Sequence, residues 1–290
     1  MFEWFMVVLG LWVVLELKTF RSDGVLVKNL HPYRKIMQFV MPTRTESAVF
    51  FDVNIKAEKL LIFLEKVQRS HDATLIHVIV AALNRGLEQN PHINRFVMGR
   101  RVYERKGRFI TFSAKRKKGE ASSKLAMIKM ETKDQESFSG LVTRINEKLN
   151  VERSDATTYA DKEYAMFNLL PRPVLWLAVK LFRLLDYYNL LPGFFIEGDA
   201  LYVSAVVTNL GSLKMGPGYH HLYEWGNCPL FVMVGEVEER VFSVDGEIKT
   251  EQILPVRLSY DDRIEDGLTA RQCIDDVVTL MEDPEKFFKD

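Results

Sequence analysis

The sequence predicts an α/β domain, an α+β two-layer sandwich with one mixed sheet and helices covering a face. Three observations carry that expectation. Segments rich in β-branched and aromatic residues, such as Ser47 to Ile55 and Leu230 to Val234, alternate with stretches of helical periodicity. One such stretch, Leu75 to Leu87, is apolar almost all round, as a central buried helix is. The chain's 290 residues, 47% hydrophobic and 27% charged, have an ordinary globular composition with material for a sizeable core. A formal net charge of zero gives no reason to expect nucleic acid as a partner. The two cysteines, Cys228 and Cys273, have no metal-ligand spacing and no CxxC. Neither a metal site nor a disulfide framework is expected, which suits a reducing cytoplasm.

Phe2 to Leu17 is apolar apart from Glu3, Gly10 and Glu16. It lacks the basic start and small-residue cleavage site of a signal peptide, and falls short of the roughly 20 apolar residues of a membrane span. Three readings stand for residues 1–20: a helix packed on the domain or an oligomer, a membrane-associating anchor, or a true span with Lys18, Arg21 and Lys28 on the cytoplasmic side. Residues 21–290 make up the remaining domain. Ser22-Asp23-Gly24 signals a turn, His31-Pro32 to Val40 a short helix closed by Pro42, and Ser47 to Ile55 a strand. Ala57 to Arg69 is an amphipathic helix, and Thr74 caps the buried helix that follows. His77, inside that helix, reads as a packing residue. Phe96 to Tyr103 and Phe109 to Ala114 are expected to pair as a hairpin through Arg105-Lys106-Gly107. From Arg95 to Lys118 basic residues crowd around a single acid, Glu104. They form either a solvated sheet edge or a landing patch for CoA phosphates, an acidic carrier or anionic lipid. A strand, Leu125 to Glu131, and a helix, Ser137 to Leu149, come next.

Val151 to Asp199 reads as a helical insert. Its helix, Val174 to Leu191, is strongly apolar, with Lys180, Arg183 and Asp186 on what remains, and Phe194, Phe195 and Ile196 follow. A neighbouring subunit, an acyl chain or a bilayer would have to cover the surface of residues 174–196. Ala200 to Thr208 is a strand. The loop Gly211 to Gly218 then delivers His220 and His221 among aromatic residues. Leu230 to Val234 and Glu238 to Val244 are strands, Asp245-Gly246 is a hairpin turn, and Ile253 to Tyr260 is the last strand. It enters a turn in which Asp261, Asp262, Glu265 and Asp266 surround Arg263, and the helix Thr269 to Met281 leads out. Alone, that turn reads either as a site or as an acidic cap on the helix.

With the pattern Leu-Ser-x-Asp-His-Arg-x-x-Asp-Gly in mind, Leu258, Ser259, Asp261, Arg263, Asp266 and Gly267 match, and Asp262 stands at the His position. Upstream, Val207-Thr208-Asn209-Leu210-Gly211 matches a strand-end pattern Thr/Ser-x-Ser/Thr-x-Leu-Gly. The stretch thus resembles the catalytic domain of dihydrolipoyl acyltransferases of 2-oxo acid dehydrogenase complexes, whose fold chloramphenicol acetyltransferase shares. The resemblance runs from about Asn29 to Glu282, with the insert as its unusual middle. There is no room for the lipoyl-carrying and subunit-binding domains, so it implies a stand-alone member.

The resemblance implies an acyltransferase with a CoA or carrier-bound thioester as donor, no tightly bound cofactor, and a site between subunits of a trimer. It implies that Thr208 serves the oxyanion, that Asp266 keeps its motif position, and that Asn209 and Arg263 lie on the cofactor side. It also exposes a gap at Asp262. An Asp side chain, with a pKa of about 3.9 in model peptides, is a weak base at neutral pH. Imidazole titrates in the right range, so His220 or His221 is the candidate replacement base. The alternative is a catalytically inactive structural homologue that forms an oligomeric scaffold, free or membrane-associated.

Overall fold

The computed structural model describes residues 1–115, 125–154, 167–244 and 246–288. The first half holds α1 (Phe2–Leu17), β1 (Gly24–Leu26), α2 (Pro32–Val40), β2 (Ala48–Lys56), α3 (Glu58–His71), α4 (Leu75–Gln89), β3 (Arg95–Met98), β4 (Arg101–Arg105), β5 (Arg108–Lys115) and β6 (Leu125–Thr132). The second half holds α5 (Phe138–Arg153), α6 (Arg172–Tyr187), α7 (Gly193–Gly198), β7 (Ala205–Asn209), β8 (Leu230–Val234), β9 (Glu238–Val244), β10 (Glu247–Asp261), α8 (Gly267–Glu282) and α9 (Pro284–Phe287).

The main sheet has seven strands, in the order β2-β10-β8-β7-β5-β6, with β9 paired to the first half of β10. β7 runs parallel to β5 and β8 while the other pairs are antiparallel, so the sheet is mixed as expected. The two-residue period of a strand sorts its faces. Leu254, Val256, Leu258 and Tyr260 of β10 join the large core under α3, α4, α5 and α8. β8 is apolar throughout: Leu230, Val232 and Val234 face those helices, whereas Phe231 and Met233 face a second cluster with Val206 and Leu222. A strand buried on both faces must read that way. The chain segment after β7 covers this second face, and it carries both histidines of interest. An apolar cavity of about 50 Å³ lies between the sheet and helices α4 and α8; Phe51, Ile79, Leu258 and Met281 are among its walls.

Thr74 and His77 form a reciprocal cap on α4. The Thr74 amide donates to His77 Nδ1 (3.0 Å), and His77 Nε2 meets Asn146 Oδ1 (3.1 Å). Burial pushes the His77 pKa down, so the imidazole serves as a neutral packing and capping group.

Three local expectations change. Phe96 to Tyr103 is not half of a hairpin with Phe109 to Ala114; it is itself the hairpin β3–β4. Its turn is Gly99-Arg100, with φ of 56° and 59°, the left-handed values a two-residue hairpin loop demands. β5 instead joins the main sheet between β6 and β7. Gly24, read as the end of a turn, also opens a short strand, residues 24–26, against β4. Asp186, placed on the open side of its helix by the sequence, is buried. The basic stretch is also largely paired. Arg95 meets Glu265 and Glu104, Arg108 meets Asn84 and Asp134, and Arg105 is buried against Asn227. Arg116, Lys117 and Lys118 lie outside the described residues, as do residues 155–166 of the expected insert.

Candidate active site

The site residues named from sequence fall into two groups. Thr208 and Asn209 end β7, while Asp262, Arg263 and Asp266 follow β10 at the opposite end of the sheet. Thr208 pairs with Met233, and Met233 pairs with Arg257. Asp262 is therefore about 16 Å farther along the strand direction than that level, at ~3.3 Å per residue. One chain does not bring Thr208 and the Asp262 turn together.

The turn is built by a buried ion pair. Arg263 Nε and Nη2 donate to Asp261 Oδ1 and Oδ2 (2.8 and 2.7 Å), and the Arg263 amide and the Ser47 hydroxyl donate to the same carboxylate. The remaining guanidinium donor, Nη1, goes to the Met41 carbonyl (3.1 Å). Arg263 is thus occupied in shaping the turn. Arg34 holds the Asp262 carbonyl, and the Asp262 amide bonds to Ser47. The half-buried Asp262 carboxylate accepts from the Tyr260 hydroxyl (2.7 Å). Burial, then this bond, pushes the Tyr260 pKa up. Asp266 caps α8 by accepting from the Thr269 amide (2.9 Å), and that bond holds its carboxyl below the usual range. The capping reading of the acidic turn therefore describes Asp266.

Thr208, in step with Val206 along β7, and the histidine loop lie on the sheet face away from the main helices. Ser113 Oγ donates to Thr208 Oγ1 (3.5 Å). Asn209 Oδ1 accepts from the Ser212 amide, closing a local turn. His220 stacks on Phe231 with ring centroids 4.1 Å apart and planes 7° from parallel. Phe231 pairs with Val206, two residues before Thr208, so His220 sits about 7 Å of strand and one strand away from the Thr208 hydroxyl. His220 Nδ1 meets the His221 carbonyl at 2.6 Å. A ring nitrogen facing a carbonyl must donate, which leaves Nε2 as the basic nitrogen. The Tyr223 hydroxyl is 3.5 Å from Nε2. His221 is exposed and stacks on His220, with centroids 5.0 Å apart.

A clasp unseen in the sequence fixes the histidine loop. The Tyr219 hydroxyl donates to both Asp52 oxygens (2.9 and 2.8 Å), and Arg257 Nε donates to Oδ1 (2.9 Å). The Arg257 guanidinium lies 4.1 Å above the Tyr219 ring and also holds the Pro217 carbonyl. The Tyr219 hydrogen bond, with Arg257, holds the Asp52 carboxyl below its ordinary range, and the same shared proton raises Tyr219. Ser259 donates to the His220 carbonyl. Asp52 was invisible as a site residue because its partners are remote in sequence; only its polar character within an apolar strand marked it. Among the described residues no cluster of three or more His, Cys, Asp or Glu could hold a metal ion.

Residues 204–289 match the family described as 2-oxoacid dehydrogenases acyltransferase (catalytic domain). No curated protein matches the chain in sequence. Among solved structures it is similar to a probable dihydrolipoamide acetyltransferase from Listeria monocytogenes, with TM-score 0.58 and 16% identity over 93% of this chain and 98% of that one. It is similar to the cubic core of the pyruvate dehydrogenase multienzyme complex, with TM-score 0.57 and 15% identity over 93% of this chain and 95% of that one. Chloramphenicol acetyltransferase gives TM-score 0.53 and 10% identity over 89% and 99%. Residues 204–289 thus carry the sequence signature of the 2-oxoacid dehydrogenase acyltransferase catalytic domain, and the chain has the fold of those cores and of chloramphenicol acetyltransferase.

Proposed function

We propose that the chain is an acyltransferase that takes its acyl group from a CoA or carrier-bound thioester, with no tightly bound cofactor. His220 is the general base and Thr208 the oxyanion donor. The single observation that carries this reading is the His220 imidazole. It is held by Nδ1 on a backbone carbonyl, so that Nε2 is basic, on the same sheet face as Thr208. Nε2 takes the proton of the acceptor thiol or hydroxyl, the acceptor attacks the thioester carbonyl, and the Thr208 hydroxyl stabilises the oxyanion. Collapse of the tetrahedral intermediate expels the CoA thiolate, which takes the proton back from the imidazolium. The chain works as a homo-oligomer, a trimer or a multiple of one, in the cytoplasm where acyl-CoA is made. The separation of Thr208 from the Asp262 turn supports a site completed across subunits. In that site Asp262 and Asp266 come from the neighbour, and His221 lies beside His220 as its exposed second imidazole. Asn209 and Arg263 support the site through the local turns they hold.

One observation favours the inactive scaffold. Asp262 occupies the motif's His position, and its carboxylate is taken up by Tyr260. A single assay separates the two: CoA release from acyl-CoA donors of several chain lengths with a small thiol acceptor. His220→Ala is expected to lower turnover about 100- to 10,000-fold with folding intact, the usual loss of a general base. Thr208→Val is expected to lower it by about 100-fold or more. Turnover that survives alanine at His220 and His221 would overturn the assignment. A wild type without turnover that gains it on Asp262→His would establish the scaffold reading.

A further inference from the structure

α1 buries nothing. All sixteen of its residues are exposed or half-exposed, and the successive apolar side chains Trp4, Phe5, Met6 and Val7, about 100° apart, lie on every side of it. A helix apolar all round belongs inside a large protein core or a bilayer, and no described element of this chain encloses α1. At about 24 Å for sixteen residues, it is shorter than the ~30 Å hydrocarbon core. Among the described residues no helix is long and apolar enough to cross a membrane. α1 can therefore enter a bilayer but not bridge it.

Its base is fixed with unusual care for so exposed an element. Arg101 donates to the Glu16 and Lys18 carbonyls, and Asn189 Nδ2 donates to the Lys18 carbonyl (2.9 Å). Just beyond, the buried Arg21 pairs with Asp23 (2.9 Å) and with Asp186 of α6 (2.7 Å). These bonds dock the base of α1 beside the C-terminal end of α6. The outer arc of α6 has two flanks. Leu177, Leu181 and Leu184 are apolar and 62, 52 and 55% exposed. Arg172, Lys180 and Arg183 are exposed around Trp176, whose ring lies 5.7 Å from the Lys180 ammonium. The one acid of α6, Asp186, is turned inward to Arg21, so every charge on the outer arc is positive. A hollow of about 130 Å³ lined by Lys18, Ser22 and Asn189 lies at the base of α1.

We propose that α1 and the outer arc of α6 form one membrane-docking platform. α1 inserts into the acyl region of a bilayer, and α6 lies in the interface, with its leucines inward and its basic flank on anionic headgroups. This surface is independent of the His220 site.

The test is flotation of the full chain with phosphatidylcholine vesicles, with and without phosphatidylglycerol. The wild type is expected to float with both and better with the anionic lipid. Val8→Glu with Leu11→Glu is expected to abolish flotation. Leu177→Glu with Leu181→Glu is expected to weaken it by about tenfold or more while α1 is intact. Lys180→Gln with Arg183→Gln is expected to lose about fivefold per charge on anionic vesicles only, the equivalent of ~1 kcal/mol each. Circular dichroism of each variant checks that it folds. A wild type that stays with the unbound fraction on both vesicles would overturn the proposal. So would α6 variants that float like wild type, or a lipid-free oligomer that Val8→Glu with Leu11→Glu splits into monomers, since a second copy would then cover α1.

Discussion

Replacing Arg263 by Met tests what the guanidinium is for. The pair it makes with Asp261 is almost dry, with side-chain exposures of 4 and 1%. The variant keeps the bonds to Asp261 from the Ser47 hydroxyl and the Arg263 amide, and loses those from Nε and Nη2. It also strips the Met41 carbonyl of its donor. Charge-assisted bonds are worth about 1.5–3 kcal/mol each, and leaving one buried charge of a pair unmatched costs about 3–5 kcal/mol. We therefore expect Arg263→Met to lower unfolding stability by about 3–5 kcal/mol. Asp261→Asn with Arg263→Met should cost less than the sum of the two single changes, because no charge is then stranded. Equilibrium urea titration of the wild type, both single variants and the double variant measures this, provided the slope is unchanged. A loss below about 1 kcal/mol, the level of a surface pair, would refute the reasoning. Unchanged stability with a raised KM for acyl-CoA would instead make Arg263 a cofactor contact.

Other outcomes follow from the same structure. Gly99→Ala should destabilise by about 1–3 kcal/mol, since φ is 56° and a Cβ would collide with the Tyr187 carbonyl; Arg100→Gly, at φ 59°, should be neutral or stabilising, and paired thermal melts check both. Burial pushes the Lys129 ammonium down from 10.5 to about 8. Between those values the unfolded chain binds the extra proton, so stability should rise with pH across that window. The gain is about 3 kcal/mol at ~1.36 kcal/mol per pH unit, less what solvent screens, and urea titrations should find it missing in Lys129→Met. Burial raises Cys228 to about 11 and Cys273 to about 12, so a thiol reagent near neutral pH should find neither until the protein unfolds.

What the sequence revealed depended on how local the physics was. The strands β2, β7 and β8, the second half of β10 from Ile253, and the helix α4 announce themselves by composition and period, because packing on one or two faces dictates their apolar positions, whereas Glu247 to Gln252 of β10 are largely exposed and were not legible. The Gly99-Arg100 turn did not. Arg100 takes a left-handed conformation that its residue type disfavours, while Gly107 nearby offered a more ordinary turn signal. β1 is three residues long and exists only because β4 is there to receive it. Thr208 and His220 were legible as chemistry, but the clasp of Tyr219, Asp52 and Arg257 joins residues 167 and 205 apart and leaves no local trace. Asp186 misled for the same reason: its cation, Arg21, is 165 residues away.

The pairing of β2 with β10 also sets a timetable. Residues 48–56 lie against residues 253–261, so an edge strand made early waits for a strand made near the end of synthesis. Sheets closed by such distant partners form slowly, and their unfinished edges invite wrong pairing. The ribosome releases α1 long before β10 exists. Its apolar surface therefore needs shelter in the cell while the domain that will hold its base is still incomplete. Chaperones or a lipid surface would meet the nascent chain there before the acyltransferase fold could close.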